Sequence, residues 1–232
     1  MRILTAYFSL QENRDITLTG SSRMQERPIK ILVDALRDLG ADISYLKNEG
    51  YPPLKIKGHT LTKHQVTLAA NVSSQYISAL LLIAPRLKKG IELTLKGEIT
   101  SVPYIKMTLN LLEQIGVITS FEDNKIIVKP INEVAAKKLV VESDWSSASY
   151  FYSIVALSNV GTKIELSSYK LNSLQGDSVL STIYKDFGVE TVFNNTSITL
   201  TKVDSQLNHV SYNLANAPDI AQTIAVTCLG LG

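Results

Sequence analysis

Three stretches of this 232-residue chain place hydroxyls, an amide or a carboxylate where an extended segment hands over to an apolar one. The first is Ser73-Ser74-Gln75-Tyr76, between an extended 65–70 and the apolar run 77–87. A serine at a helix N-cap satisfies the orphan amides of the first turn. Those same amides, with the helix dipole behind them, attract anions. One serine is explained by capping alone; two serines and a glutamine leave polar groups over for a ligand. The second stretch is Asp144-Trp145-Ser146-Ser147, after 138–142 and before the apolar 150–157. The third is Asn216-Ala217-Pro218-Asp219, after 210–214 and before 220–231. Aspartates in these places, Asp144 and Asp219, are good N-caps by type.

Cationic and flanking residues add to this. Glu26-Arg27-Pro28 sets a guanidinium at the start of a helix, where a cation opposes the dipole by about 0.3–1 kcal/mol. A solvated surface arginine fits the position; so does an anion held between guanidinium and amides, which removes the conflict. Arg2 and Arg23 read either as surface residues or as further partners of that anion. Ser101 and Tyr104 flank the helix that begins at Pro103; singly they read as a cap and an amphipathic core residue.

Composition narrows the classes. A net charge of +2 gives no electrostatic reason to expect nucleic acid or an anionic membrane surface, and 45% hydrophobic with 19% charged residues describes an ordinary globular protein. The single cysteine, Cys228, sits in an apolar run with no adjoining histidine or base and reads as core filler, which fits a reducing, cytoplasmic setting. His59, His64 and His209 are not at metal-ligand spacing, so neither metal nor cofactor is expected. The opening Met1-Arg2-Ile3-Leu4 does not read as a signal peptide, and no apolar run is long enough to span a bilayer.

The elements that must position these residues repeat. Ser73, Ser146 and Asp219 are spaced 73 residues apart, longer than the roughly 20–50 of solenoid repeats, so each copy should be a compact unit in a tandem array. Helix-stopping glycines Gly40, Gly116 and Gly188 follow the same interval within a few residues. In the incomplete first copy, 1–8 ends a helix, 15–20 alternates as a strand and 21–27 is a polar loop. Pro28 then suits the first turn of a helix whose inner face is Ile29, Leu32, Leu36 and Leu39. Strands at 43–46 and 54–56 form a hairpin. The second copy offers a strand at 91–95, a helix with Ile105, Leu109, Leu112 and Ile115 inward, and a hairpin of 117–121 with 125–128. The third offers a strand at 163–167, a helix with Val179, Ile183 and Phe187 inward, and a hairpin of 189–193 with 197–201.

Six ordered motifs carry a resemblance through nearly the whole chain. They are Arg23-Met24-Gln25-Glu26-Arg27-Pro28, Ser73-Ser74-Gln75-Tyr76 with Ser78-Ala79-Leu80-Leu81, and Pro103-Tyr104-Ile105-Lys106-Met107-Thr108-Leu109. Ser146-Ser147-Ala148-Ser149-Tyr150-Phe151, Asn172-Ser173-Leu174-Gln175-Gly176-Asp177 and Pro218-Asp219 complete them. The sequence resembles the 5-enolpyruvylshikimate-3-phosphate synthases. The resemblance implies an α+β fold of the enolpyruvyl transferase kind, with tandem βαβαββ units in two lobes around an active site. Residues 1–142 would be two of the three repeats of the first lobe, its first repeat missing; 143–232 would be the first repeat and the start of the second in the other lobe. It implies transfer of the enolpyruvyl group of phosphoenolpyruvate to the 5-hydroxyl of shikimate 3-phosphate, in the shikimate pathway of aromatic amino-acid biosynthesis.

The resemblance also assigns roles. Ser73, Ser74 and Ser101 would bind shikimate 3-phosphate, with Tyr104 beside its ring. Gln75 would touch both substrates, Arg27 would hold phosphoenolpyruvate, and Asp219 would accept the proton of the 5-hydroxyl. Arginine and pre-aligned donors suit polyanionic substrates. Departures are visible too: the family's lysine-serine-arginine segment and Asn-Ala-Gly-Thr loop would precede Met1, Ile3 replaces a proline, and Ser143 and Trp145 replace small residues. The expectation is a truncated piece that binds shikimate 3-phosphate without turning it over, with exposed edges that could pair two copies. Two other readings stand beside it. A UDP-N-acetylglucosamine enolpyruvyl transferase would carry a loop cysteine, unlike Cys228. A non-catalytic repeat scaffold would show apolar patches on its solvent-facing hairpins.

Overall fold

The computed structural model describes residues 1–99, 102–205 and 209–232. They fall into two compact units, Met1–Lys137 and Lys138–Gly232, each with its own hydrophobic core.

In the first unit, α1 (Arg2–Ser9) leads into β1 (Asp15–Leu18), which pairs with β3 (Leu54–Lys57), itself paired with β2 (Asp42–Tyr45), all antiparallel. Residues 21–27 are not all loop: Ser21 Oγ accepts from the Met24 amide and caps one helical turn, α2 (Ser22–Gln25). The next helix, α3 (Lys30–Asp38), takes Ile29 as its N-cap, so Pro28 lies ahead of its first turn rather than in it. Leu32, Val33, Ala35 and Leu36 bury one stripe of α3, as an amphipathic helix on a core must.

The second sheet runs β4 (Gln65–Ala69), β5 (Ile91–Lys96), β7 (Lys125–Val128), β6 (Thr119–Glu122), with β4 and β5 parallel and the other pairs antiparallel. The parallel pair needs a crossover, and α4 (Ser74–Ile83) supplies it. Tyr76, Ile77, Ala79, Leu80, Leu81 and Ile83 of α4 are all buried. A helix apolar on nearly every side is one the fold encloses, and α4 packs against α1 and α5 (Val102–Gln114). Ser78 and Thr108 hydroxyls, 2.8 Å apart, join α4 to α5. This is the unit in which the strand-helix-strand-helix-strand-strand order is complete.

The second unit builds around Trp145, Tyr152, Tyr184 and Phe187, all fully buried. Its helix α6 (Trp145–Ala156) covers the antiparallel sheet β8 (Lys163–Ser167), β10 (Ser197–Lys202), β9 (Val189–Asn194). Between β8 and β9 the chain winds as a 3-10 turn, Gly176–Val179, and one α turn, α7 (Leu180–Ile183). Ile183 and Phe187 turn inward as expected, joined by Leu180 and Tyr184, whereas Val179 is 38% exposed. Val179 ends the 3-10 turn, which closes in three residues rather than 3.6, so it falls out of the phase that Ile183 and Phe187 keep. The last elements are a 3-10 turn, Pro218–Ile220, and α8 (Ala221–Leu231).

Two expected strands do not form. Residues 138–142 join no ladder, and Val140 and Val141 are exposed; only the next residue, Ser143, reaches the end of β8, donating its amide to Ser168 O and its hydroxyl to Ser167 O. Backbone pairing without a buried face is marginal. Residues 210–214 alternate in burial, with Val210, Tyr212 and Leu214 packed on the core, yet they join none of the described sheets.

Candidate anion-binding site

Ser73 is the N-cap residue of α4, yet its hydroxyl bonds none of that helix's amides. Its Oγ accepts instead from Arg2 Nη1 at 3.2 Å, and Gln75 Oε1 accepts from the same nitrogen at 2.8 Å. The guanidinium lies 4.8 Å from the centroid of the Tyr76 ring, within cation–π range. Tyr76 is buried and donates its hydroxyl to Pro28 O at 2.8 Å. The starts of α1 and α4 and the turn that carries Arg27 are thereby tied together.

A cavity of about 70 Å³ lies at this meeting point, lined by Met1, Arg2, Met24, Arg27, Pro28, Ile29 and Gln75. Two guanidinium-bearing residues and an amide line it, and no carboxylate does. Arg27 lies exposed two residues before the N-cap Ile29. It therefore stands beside the cavity rather than on the helix start the sequence suggested. Arg23 is occupied elsewhere, paired with Glu26 at 3.2 Å on the surface. Larger hollows, of about 480 and 580 Å³, lie away from these residues, and carboxylates line them: Glu12 in one, Asp38 and Glu92 in the other. Of these three, the small cavity is the one lined by cations and no carboxylate.

The corresponding start of α6 is closed. Asp144 Oδ1 accepts from the Ser146 amide at 3.1 Å and Oδ2 from the Ser147 hydroxyl at 2.8 Å. Gln175 accepts from the Trp145 amide and donates to Ser143 O, each at 2.9 Å. Glu142 takes the Trp145 indole and the Ser173 hydroxyl, also at 2.9 Å each. The motif 172–177 thus fastens the front of α6 with amide and carboxylate groups. An anion there would meet negative charge.

Asp177, which accepts from the Ser146 hydroxyl, is 2% exposed, and its other oxygen has no partner among the described residues. Burial pushes its pKa up, with the Asp219 and Asp144 charges adding and the Ser146 hydrogen bond opposing. Asp219 itself is exposed on the 3-10 turn Pro218–Ile220.

Of the residues singled out from sequence, Ser73, Gln75 and Arg27 come together around Arg2 and the small cavity. Ser74 is the first residue of α4 and half-buried. Tyr104 is half-buried in the first turn of α5, its carbonyl accepting from Thr108 Oγ1 at 3.0 Å. Ser101 lies outside the described residues. Asp219 belongs to the second unit. Arg2 and Tyr76 are the residues sequence reasoning undervalued. A signal existed: Arg2 is a cation in a helix's first turn, the position that drew attention to Arg27, and it precedes Gln75 by one repeat interval. Among the described residues no cluster of His, Cys, Asp and Glu could hold a metal ion, and no helix is long and apolar enough to cross a membrane.

An α+β chain of such units, with a cationic hollow at an uncapped helix start, has the enolpyruvyl transferase fold. The solved EPSP synthase from Acinetobacter baumannii matches it with a TM-score of 0.77 at 23% identity, over 98% of this chain and 52% of that one. The family model for EPSP synthase (3-phosphoshikimate 1-carboxyvinyltransferase) matches residues 1–230, and the chain belongs to that family. Curated relatives carrying the name 3-phosphoshikimate 1-carboxyvinyltransferase include one from Bacteroides fragilis, 48% identical over 98% of this chain and 55% of its own length. Another, from Shewanella pealeana, is 41% identical over 99% of this chain and 53% of its own length. The chain spans about half the length of the curated relatives it matches.

Proposed function

We propose that this chain serves the transfer of the enolpyruvyl group from phosphoenolpyruvate to the 5-hydroxyl of shikimate 3-phosphate, with release of phosphate. The observation that carries the reading is the uncapped start of α4, where Ser73 and Gln75 are held by Arg2 beside Arg27 in a hollow free of carboxylates. In this reading Ser73, Ser74 and Ser101 donate to shikimate 3-phosphate, and Tyr104 packs on its ring. Gln75 bridges the two substrates and Arg27 neutralises phosphoenolpyruvate. Asp219 takes the hydroxyl proton as the new C–O bond forms, which requires hydrogen-bond reach in the loaded state. Donors fixed before the substrates arrive need no reorganisation during the reaction.

Residues 1–142 and 143–232 as parts of two lobes, the cytoplasmic setting and pairing of two copies through exposed edges belong to the same proposal. The relatives' names favour this reaction over the UDP-sugar one. The scaffold reading asks for apolar side chains on solvent-facing hairpins. Among the described residues they are spread over helices, such as Tyr150 and Ile154 of α6, and connecting segments, such as Val140 and Leu171, with Leu46 and Tyr51 in the β2–β3 connection and Val192 on a strand. Calorimetric titration with shikimate 3-phosphate tests the proposal. Saturable binding that weakens about tenfold or more in Ser73→Ala, as expected for one lost charge-assisted hydrogen bond, supports it; identical heats from the wild type and the variant contradict it.

A further inference from the structure

Arg2 is an arginine in an unexpected place. It occupies the first turn of α1, where a cation gains nothing from the helix dipole, and no carboxylate pairs with it among the described residues. Its guanidinium is spent on two neutral acceptors, Gln75 Oε1 at 2.8 Å and Ser73 Oγ at 3.2 Å, and on the Tyr76 ring. A guanidinium donates and never accepts. The Gln75 amide must therefore turn its carbonyl oxygen to Arg2 and its NH₂ group away. Ser73, accepting on one lone pair, keeps its own O–H free to donate. Neither the Gln75 NH₂ nor the Ser73 O–H donates to any described residue. Two donors are thus aimed, by one cation, at whatever sits before α4.

We propose that Arg2 is a positioning residue that fixes the direction of the Gln75 and Ser73 donors and does not itself touch the bound anion. That these donors serve a phosphorylated substrate rests on the function proposed above; that Arg2 orients them stands on geometry alone. Tyr76 is the platform: buried beneath the guanidinium and bonded to Pro28 O, it keeps Arg2 and the Arg27 turn in one frame. Lysine at position 2 would keep the charge but lose the planar group that stacks and donates in a fixed direction.

Two measurements on the 232-residue chain separate this idea from the functional reading. The first is the heteronuclear NOE of the Gln75 side-chain NH₂, recorded without ligand. It is high in the wild type, collapses to that of a freely rotating amide in Arg2→Met, and recovers in part in Arg2→Lys, while melting curves confirm that the variants fold. An unchanged NOE in folded Arg2→Met overturns the proposal. The second is a binding cycle with shikimate 3-phosphate. Arg2→Met weakens binding about tenfold in the wild type, and no more than about threefold once Gln75→Ala has removed the group through which Arg2 acts. A full tenfold loss in the Gln75→Ala background makes Arg2 a direct ligand and overturns the proposal. Should the wild type bind no shikimate 3-phosphate, the functional reading falls, and the NOE still decides the role of Arg2.

Discussion

At the scale of single residues, the two helix starts differ by what stands in front of them. Ser73 gives up capping to accept from Arg2, whereas Asp144 caps its helix and Asp177 closes the corner behind it. The surplus of polar groups at 73–75 was legible in the sequence. The partner of that surplus was not, because Arg2 meets Gln75 only after α1 and α4 have packed side by side. Asp177 offers a test of the closed corner. Its folded-state pKa is raised, so the folded protein holds the proton more tightly than the unfolded chain. The resulting penalty is absent below the ordinary carboxylate value of about 4 and grows as pH rises through the folded value. Asp177→Asn, which keeps the shape and removes the charge, should stabilise the protein at pH 7 by on the order of 1 kcal/mol. That gain should shrink toward pH 4, as read by denaturant titration at both pH values; an equal gain at both would refute the electrostatic account.

At the scale of elements, the repeat shows itself as contact. Ser149 bonds Thr223 at 3.0 Å and Thr227 bonds Ser153 at 2.9 Å, each pair 74 residues apart, where α6 meets α8. Residues one period apart become neighbours because equivalent helices of successive units lie against each other. Apolar periodicity located α3, α4, α5, α6 and α8 because each buries a stripe or most of its surface. It failed where the helix changed type: Gly176–Val179 winds as a 3-10 turn, and no local pattern announces that change of pitch. The exposure of Val179 beside the buried Leu180 predicts an asymmetry between adjacent residues. Leu180→Ala should cost about 2–5 kcal/mol as a large-to-small change in a closed core. Val179→Ala should stay within about 0.5 kcal/mol as a surface change. Equal costs in urea denaturation would contradict the outward placement of Val179. Residues 210–214 carry a related lesson: Val210, Tyr212 and Leu214 turn inward, but a ladder also needs a partner strand, which the segment itself cannot encode.

At the scale of the molecule, each unit closes its own core and carries one of the two kinds of helix start, the first open and cationic, the second shut and acidic. Family membership was legible because six motifs stand in order along the whole chain. The distinction between the open and shut starts was not, since Ser73-Ser74 and Ser146-Ser147 look alike until Gln175 and Asp177 fold over the second pair. A crystal of the chain soaked with shikimate 3-phosphate puts this difference to the most direct test. The phosphate or ring hydroxyls should appear within hydrogen-bond distance of Ser73 Oγ and Gln75 Nε2, with the α6 start empty of ligand. Ligand density at the α6 start or in the 480 Å³ hollow near Tyr7 and Arg86, with nothing before α4, would contradict the account.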